Sequence, residues 1–153
     1  MRPAEPSDLT DIERITRAAY AQYLPLLGYP PRPVTEDYRP RIERGEVWLA
    51  DESGEPIGLI VLERHPDHAM IFSVAVSPEH QGEGHGLALL RFAEEEARGW
   101  GVGEVRLYTN GRMERNISLY ISIGYRETGR GTHPLRPGFV VVDMAKPLAE
   151  VNK

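Results

Sequence analysis

Three groups of residues in this 153-residue chain are suited to binding a ligand or moving a proton. The first is Gln81-Gly82-Glu83-Gly84-His85-Gly86, which comes after the β-branched run Val74-Ala75-Val76. Beyond it, Leu89, Leu90, Ala93, Ala97 and Trp100 recur at three- and four-residue steps, the spacing of an amphipathic helix. A glycine loop thus joins a strand end to a helix start. Its bare N–H groups can turn toward one point, where the helix adds unsatisfied donors and a partial positive charge. That is an anion cradle, most naturally for a phosphate. The second group is Asn116 and Tyr120, four residues apart and so on one helix face. The third comprises proton carriers: His68, whose intrinsic pKa suits a base, with His133 and Glu63 as weaker candidates.

The glycine spacing narrows the phosphate ligand. A dinucleotide fingerprint needs glycines at relative positions one, three and six, and Leu87 occupies the sixth place from Gly82. No Lys-Ser/Thr pair completes a nucleoside-triphosphate loop. His65-x-x-His68 has a metal-like spacing, but Pro66 breaks the helix it would need and no ligand cluster is evident beside it, so no metal is expected. With no cysteine in the chain, thiolate zinc sites, disulfides and a cysteine nucleophile are excluded.

The scaffold around these groups can be read in chain order. Ser7 is placed to cap a first helix through Leu9, Ile12, Ala19, Tyr20 and Tyr23. Four prolines and a glycine in residues 25–33 are expected to forbid regular structure, although Leu26, Leu27 and Tyr29 make the segment apolar. It is expected either to pack on the first helix or to form a lid over a second pocket. A short helix should begin near Thr35 or Asp37 and reach Arg44, with Pro40 in its first turn. Strands are expected over 47–51, 57–63, 68–77, 104–109, 125–129 and 139–144, with a helix within 110–123 stopped by Gly124. The strand-helix-strand unit around the glycine loop requires a crossover, so the strand at 104–109 should run parallel to its predecessor. Arg91 with Glu95, and Glu94 with Arg98, are expected to be solvated pairs on the exposed side of the main helix.

Length fits a single domain over residues 1–153 with one sizeable core. A net charge of −5 argues against a nucleic-acid surface and mildly favours a cationic acceptor, while the lack of an 18-residue apolar run excludes a spanning helix. No secretory leader is evident, and the expected location is cytoplasmic.

The run Val-Ala-Val-Ser-Pro-Glu followed by Gln-x-x-Gly-x-Gly resembles the acyl-CoA signature of the GNAT superfamily of N-acetyltransferases. Asn116-Ile117-Ser118-Leu119-Tyr120-Ile121-Ser122-Ile123-Gly124-Tyr125 resembles its other signature, Asn-x-x-x-x-Tyr-x-x-x-Gly-Phe, with Tyr125 in place of Phe. The order β-α-α-β-β-β-α-β-α-β-β matches that fold. The resemblance implies an α/β (α+β) class: a mixed, mostly antiparallel sheet of about seven strands with four helices, splayed between strands four and five. It implies acetyl-CoA as cosubstrate, held by Val74, Ala75, Val76, Gln81, Gly82, Glu83, Gly84, His85, Gly86, Leu87 and Asn116, with a backbone N–H of residues 74–76 polarising the acetyl carbonyl and Tyr120 meeting the sulfur. Some members carry a Glu base on the fourth strand; the matching place here is Met70, which cannot take a proton, and His68 lies two residues earlier on the same strand face. His85 departs from the family loop and is expected to point outward. Arg112 and Arg115 are expected either to reach the CoA 3′-phosphate or to stay in solvent. The acceptor implied is a small-molecule or peptide amine, and dimerisation through the late strands is common among such domains. A domain that binds CoA as a sensor, without catalysis, is the alternative.

Overall fold

A computed structural model describes residues 1–134, 136 and 138–148. Residues 149–153, included in the expected domain, lie outside the described residues. The elements are β1 (Arg2–Pro3), α1 (Leu9–Tyr20), α2 (Leu24–Leu27), α3 (Arg32–Thr35), α4 (Arg39–Glu43), β2 (Val47–Glu52), β3 (Glu55–Arg64), β4 (Ala69–Val76), α5 (His85–Trp100), β5 (Glu104–Asn110), α6 (Glu114–Ser122), β6 (Arg126–Thr132) and β7 (Val140–Pro147). They build one open seven-stranded sheet ordered β1-β2-β3-β4-β5-β7-β6. Pairings are antiparallel except β4 with β5, which is parallel, as the crossover through α5 requires.

Helices cover both faces of this sheet, which is why β3 is apolar at consecutive positions instead of alternating with polar ones. Leu59 and Val61 join Ile12, Ile15, Tyr38 and Leu49 beneath α1. Ile60 and Leu62, one residue out of phase, join Leu89, Leu90, Ala93 and Leu107 beneath α5. Gly58 lets α5 settle onto the sheet: a Cβ there would stand 3.1 Å from the Ala75 carbonyl oxygen and 3.3 Å from Leu89 Cδ1.

Several local expectations are corrected. Ser7 does not cap α1; a 3-10 turn at Pro6–Asp8 precedes it, and Asp8 accepts from the Glu5 N–H at 2.7 Å and from both Arg2 terminal nitrogens at 3.0 Å. The prolines of residues 25–33 do not forbid helix, because α2 and α3 each place Pro in the first turn, where the missing N–H costs nothing. The four expected helices become three long ones and three short turns. Glu94 is buried, not solvated, and pairs with Lys146 at 2.8 Å as well as with Arg98 at 3.8 Å.

One buried cation ties the α1 side together. Arg41 meets Glu36 at 2.5 Å, Glu63 at 2.8 Å and Glu46 at 2.9 Å, with its guanidinium carbon 3.9 Å from the Phe72 ring centroid. Burial pushes the Glu63 carboxyl up, but bonds from His65 and Arg41 outweigh it and hold the group below the usual carboxylate range. A depressed pKa in the fold means stability that is full above the unfolded value of about 4.3 and is lost as pH falls through the folded value. Arg41→Met should cost about 2–3 kcal/mol in urea unfolding at pH 7, since it leaves Glu36 without its cation and Glu46 and Glu63 with only Arg44 and His65. It should also flatten the loss of stability between about pH 5 and 3; an unchanged midpoint and slope would show the network to be inert.

Candidate active site

The site begins where two strands part. β4 pairs with β5 only through Ala69↔Val105, Met70↔Arg106 and Ile71↔Leu107. The next residue, Phe72, is a bulge: against β3 the register steps from Leu62↔Ile71 to Val61↔Ser73. A bulge adds twist and re-aims the residues beyond it, and from there Ser73 to Val76 have left β5. The Ser77 N–H donates to the Ile57 carbonyl at 2.8 Å, so Ser77 and Ala75 face β3. By the two-residue alternation of an antiparallel ladder, the N–H groups of Val74 and Val76 face the gap.

The loop after β4 is held at that gap. Gln81 Nε2 donates to the Val76 carbonyl at 3.1 Å, tying the loop back to the strand. Gly84, at φ 88°, precedes α5 in a left-handed conformation. The first helical bond runs from the Ala88 N–H to the Gly84 carbonyl at 3.1 Å, which leaves the N–H groups of His85, Gly86 and Leu87 as donors for a ligand. His80 and His85 lie on either side of Glu83, at 3.1 and 3.2 Å, and their bonds hold its carboxyl below the usual range. Glu52, the last residue of β2, meets His80 at 3.1 Å. These four donor groups lie within 4.8 Å of one another, a spacing that a divalent ion could share. The ion pairs alone account for the arrangement.

On the other side of the gap, α6 presents Asn116 and Tyr120 together. The Tyr23 hydroxyl donates to Asn116 Oδ1 at 3.2 Å, and the Tyr20 hydroxyl shares a 3.4 Å bond with Ser73 Oγ. Burial, reinforced by Tyr20 and Tyr23, pushes the Tyr120 phenol above its ordinary range. Its ring meets Tyr125 edge-on at 5.8 Å, and the Tyr125 hydroxyl is buried with no partner among the described residues.

Two cavities open from this point. One, of about 240 Å³, is walled by Val74, Ala75, Val76, His80, Gln81, Gly82, Gly84, His85, Gly86 and the α6 pair. The other, of about 310 Å³, is walled by Tyr29, Arg32, Phe72, Tyr108, His133 and Arg136 among others. Tyr20, Val74, Asn116 and Tyr120 belong to both. A ligand lying along the glycine loop and a second ligand in the aromatic cavity would therefore meet at one phenol and one strand backbone.

The expected site residues divide accordingly. Val74, Ala75, Val76, Gln81, Gly82, Gly84, His85, Gly86, Asn116 and Tyr120 wall the first cavity, and the His85 ring nitrogen bonds Glu83 at 3.2 Å. The side chains of Glu83 and Leu87 are not on its wall. His68 is not brought to either cavity: its ring bonds Asp67 at 2.6 Å and stacks on His65 at 4.5 Å. Glu63 is committed to Arg41 and His65, whereas His133 does wall the second cavity. Arg112 braces the proline-rich segment, 4.1 Å over the Phe139 ring and donating to the Leu26 carbonyl at 3.3 Å. Sequence reasoning missed Tyr20, Arg32, Tyr108 and Arg136 as site residues, since each depends on long-range packing. The basic charge of the second cavity also runs against the cationic acceptor that the net charge favoured.

Comparisons with known proteins agree with this geometry. A model described as the GNAT acetyltransferase family matches residues 11–125. N-acetyltransferase family 8 member 2 of Rattus norvegicus is 31% identical over 91 residues, covering 56% of this chain and 40% of that protein, so the chain spans less than half of that relative's length. Among solved structures, the ribosomal-protein-S18-alanine N-acetyltransferase from Escherichia coli matches with a TM-score of 0.77 at 23% identity, over 99% of this chain and 94% of that one. The paia N-acetyltransferase from Thermoplasma acidophilum, in complex with coenzyme A, matches with a TM-score of 0.73 at 18% identity, over 95% and 96%. At these identities the likeness to the solved structures is one of fold.

Gly86 offers a clean test of the cradle. It lies in α5 with open space around a built Cβ and no positive φ, unlike Gly84. An Asp in the first turn suits the helix dipole but opposes a bound anion. Gly86→Asp should leave the melting temperature unchanged or slightly raised and weaken acetyl-CoA binding at least 100-fold by calorimetry; undiminished binding would move the ligand elsewhere.

Proposed function

The chain belongs to the GNAT family of acetyltransferases, and we propose that it transfers an acetyl group from acetyl-CoA to the primary amine of a small molecule or peptide, by direct attack in a ternary complex. The observation carrying this reading is the junction of the two cavities at Tyr20, Val74, Asn116 and Tyr120. A domain that only senses CoA has no need of a second cavity opening onto the same phenol.

In this reading the CoA pyrophosphate lies on the N–H groups at the start of α5, neutralised by the helix end. The pantetheine arm runs along the free edge of β4, where the outward N–H and C=O groups of Val74 and Val76 offer strand-like bonds. The acetyl carbonyl then takes an N–H of this edge, which stabilises the oxygen as it becomes an anion. Asn116, oriented by Tyr23, borders the arm, and Tyr120 donates a hydrogen bond to the sulfur as it acquires charge.

Two substitutions separate these roles. Tyr120→Phe should lower kcat at least tenfold while leaving acetyl-CoA affinity within about twofold. Because burial raises the Tyr120 pKa, the phenol stays protonated throughout the assay range, so the parent should show no falling alkaline limb below about pH 10. An unchanged kcat would remove Tyr120 from the sulfur.

This reading assigns the proton-carrier role to His133, because it walls the second cavity. The acceptor ammonium, with a pKa of about 10.4, is some 3.4 units above neutrality, so its neutral form costs about 4.6 kcal/mol at pH 7. His133→Gln should therefore cut kcat/KM about tenfold at pH 7, with the deficit shrinking as pH approaches the amine pKa. A deficit independent of pH would assign His133 to packing instead.

A further inference from the structure

The acceptor cavity carries a charge pattern of its own. Among its described lining residues are two arginines, Arg32 and Arg136, and no Asp or Glu. Neither arginine has a carboxylate partner among the described residues. Arg32 Nη1 donates to the Tyr108 hydroxyl at 3.1 Å, with its guanidinium carbon 5.5 Å from the Phe72 ring centroid. Arg136 sits with its guanidinium carbon 4.4 Å from the Tyr29 ring centroid. Arg41, whose guanidinium carbon lies 3.9 Å from the centroid of the same Phe72 ring, is by contrast met by three carboxylates.

Stacking engages the face of a guanidinium and leaves N–H donors at its edge. Those edges have the planar fork that matches a carboxylate. A cavity of this kind repels polyamines, aminoglycosides and lysine side chains presented among other cations. It also does so in a chain of net charge −5, so the basic character is local to the site. Tyr29, Phe72 and Tyr108 supply aromatic walls for an apolar body.

Resting on the acetyl-transfer reading for the fate of the amine, we propose that the acceptor is an amine that also carries a carboxylate on an apolar or aromatic frame, of the class of a hydrophobic α-amino acid. Arg32 and Arg136 take the carboxylate. The amine is thereby directed to the junction at Val74 and Tyr120. In the balanced step, the amine nitrogen forms a bond to the acetyl carbon, the carbon–sulfur bond breaks, and the proton lost by nitrogen ends on the CoA sulfur through water or a side chain.

The test measures binding before turnover. CoA-loaded protein is titrated by calorimetry with phenylalanine, tryptophan and leucine and with the carboxamide of each. At least one acid should bind ten times more tightly than its amide. Arg32→Gln and Arg136→Gln should each erase at least fivefold of that preference, and the double variant all of it, with amide binding and acetyl-CoA affinity unchanged. Both arginines are exposed, so the variants should fold, and the acid-against-amide comparison needs no variant at all. Equal binding of acids and amides, absence of binding by every acid, or a preference that survives in the double variant each overturns the proposal. Release of CoA thiol is then followed with the same panel. Arginine-dependent binding of an acid without thiol release would keep the anion site and sink the transferase reading. Fast release with amides, indifferent to both arginines, would do the reverse.

Discussion

Everything in this molecule that can do chemistry depends on β4 ceasing to pair with β5. A parallel pair that continued past Ile71↔Leu107 would satisfy the outward N–H and C=O groups of Val74 and Val76 with β5 and close the gap. The bulge at Phe72 prevents this by turning the strand just where the pairing ends. Unpaired backbone inside a fold is costly unless something replaces the lost partners. Here Gln81 caps the Val76 carbonyl, and the rest of the edge opens onto a cavity. The fold tolerates this gap because both faces of the neighbouring β3 are fully packed, so that the sheet keeps its shape with one seam open.

The same seam sorts charge. On the cradle side, an anion must be met by helix N–H groups, yet the loop carries Glu83 and the adjoining turn Glu52. His80 and His85 wall the cavity and bond those carboxylates, which are not on its wall, so imidazoles and not acids line the cradle. Among the described residues, no carboxylate walls the second cavity. Glu36, Glu46 and Glu63 are bound to the buried Arg41, which lies against Phe72. The positive charge remaining at the cavity therefore arises from how the α1 layer is held to the sheet, as well as from the two arginines themselves.

What the sequence made legible is what is encoded locally. The glycine loop runs directly into the helix after it, Asn116 and Tyr120 stand one helical turn apart, each group obeys a fixed spacing, and all but Glu83 and Leu87 of the expected loop residues wall the first cavity. The acceptor side could not be read in this way. Tyr29 reaches Asn110 over 81 positions, Arg32 reaches Tyr108 over 76, and Phe139 and Arg136 of the late loop pack on Tyr29. His68 illustrates the opposite failure: period two places it on a strand face, but β4 begins one residue later, and in the turn its ring is captured by Asp67 and His65. Glu94 misled for a related reason, since its exposure on a helical wheel ignores that Lys146 arrives from β7.

The raised pKa of Tyr120 restricts how protons can move in such a site. A phenol above pKa 10 facing a thiolate whose conjugate acid has a pKa near 8.5 would give up its proton uphill by at least about 1.5 units, roughly 2 kcal/mol. Burial deepens that deficit, because a phenolate in the same pocket would also lose its solvation. Tyr120 is therefore better suited to donating a hydrogen bond than a proton. On the acetyl-transfer reading, the proton that finally rests on sulfur comes from the attacking nitrogen, whose acidity rises steeply as it acylates. Loss of that proton and departure of the thiolate are two halves of one event, and the groups able to connect them must lie near the junction that the two cavities share. Nothing in this scheme needs a carboxylate base, which is consistent with Met70 at the strand position where some relatives carry a glutamate.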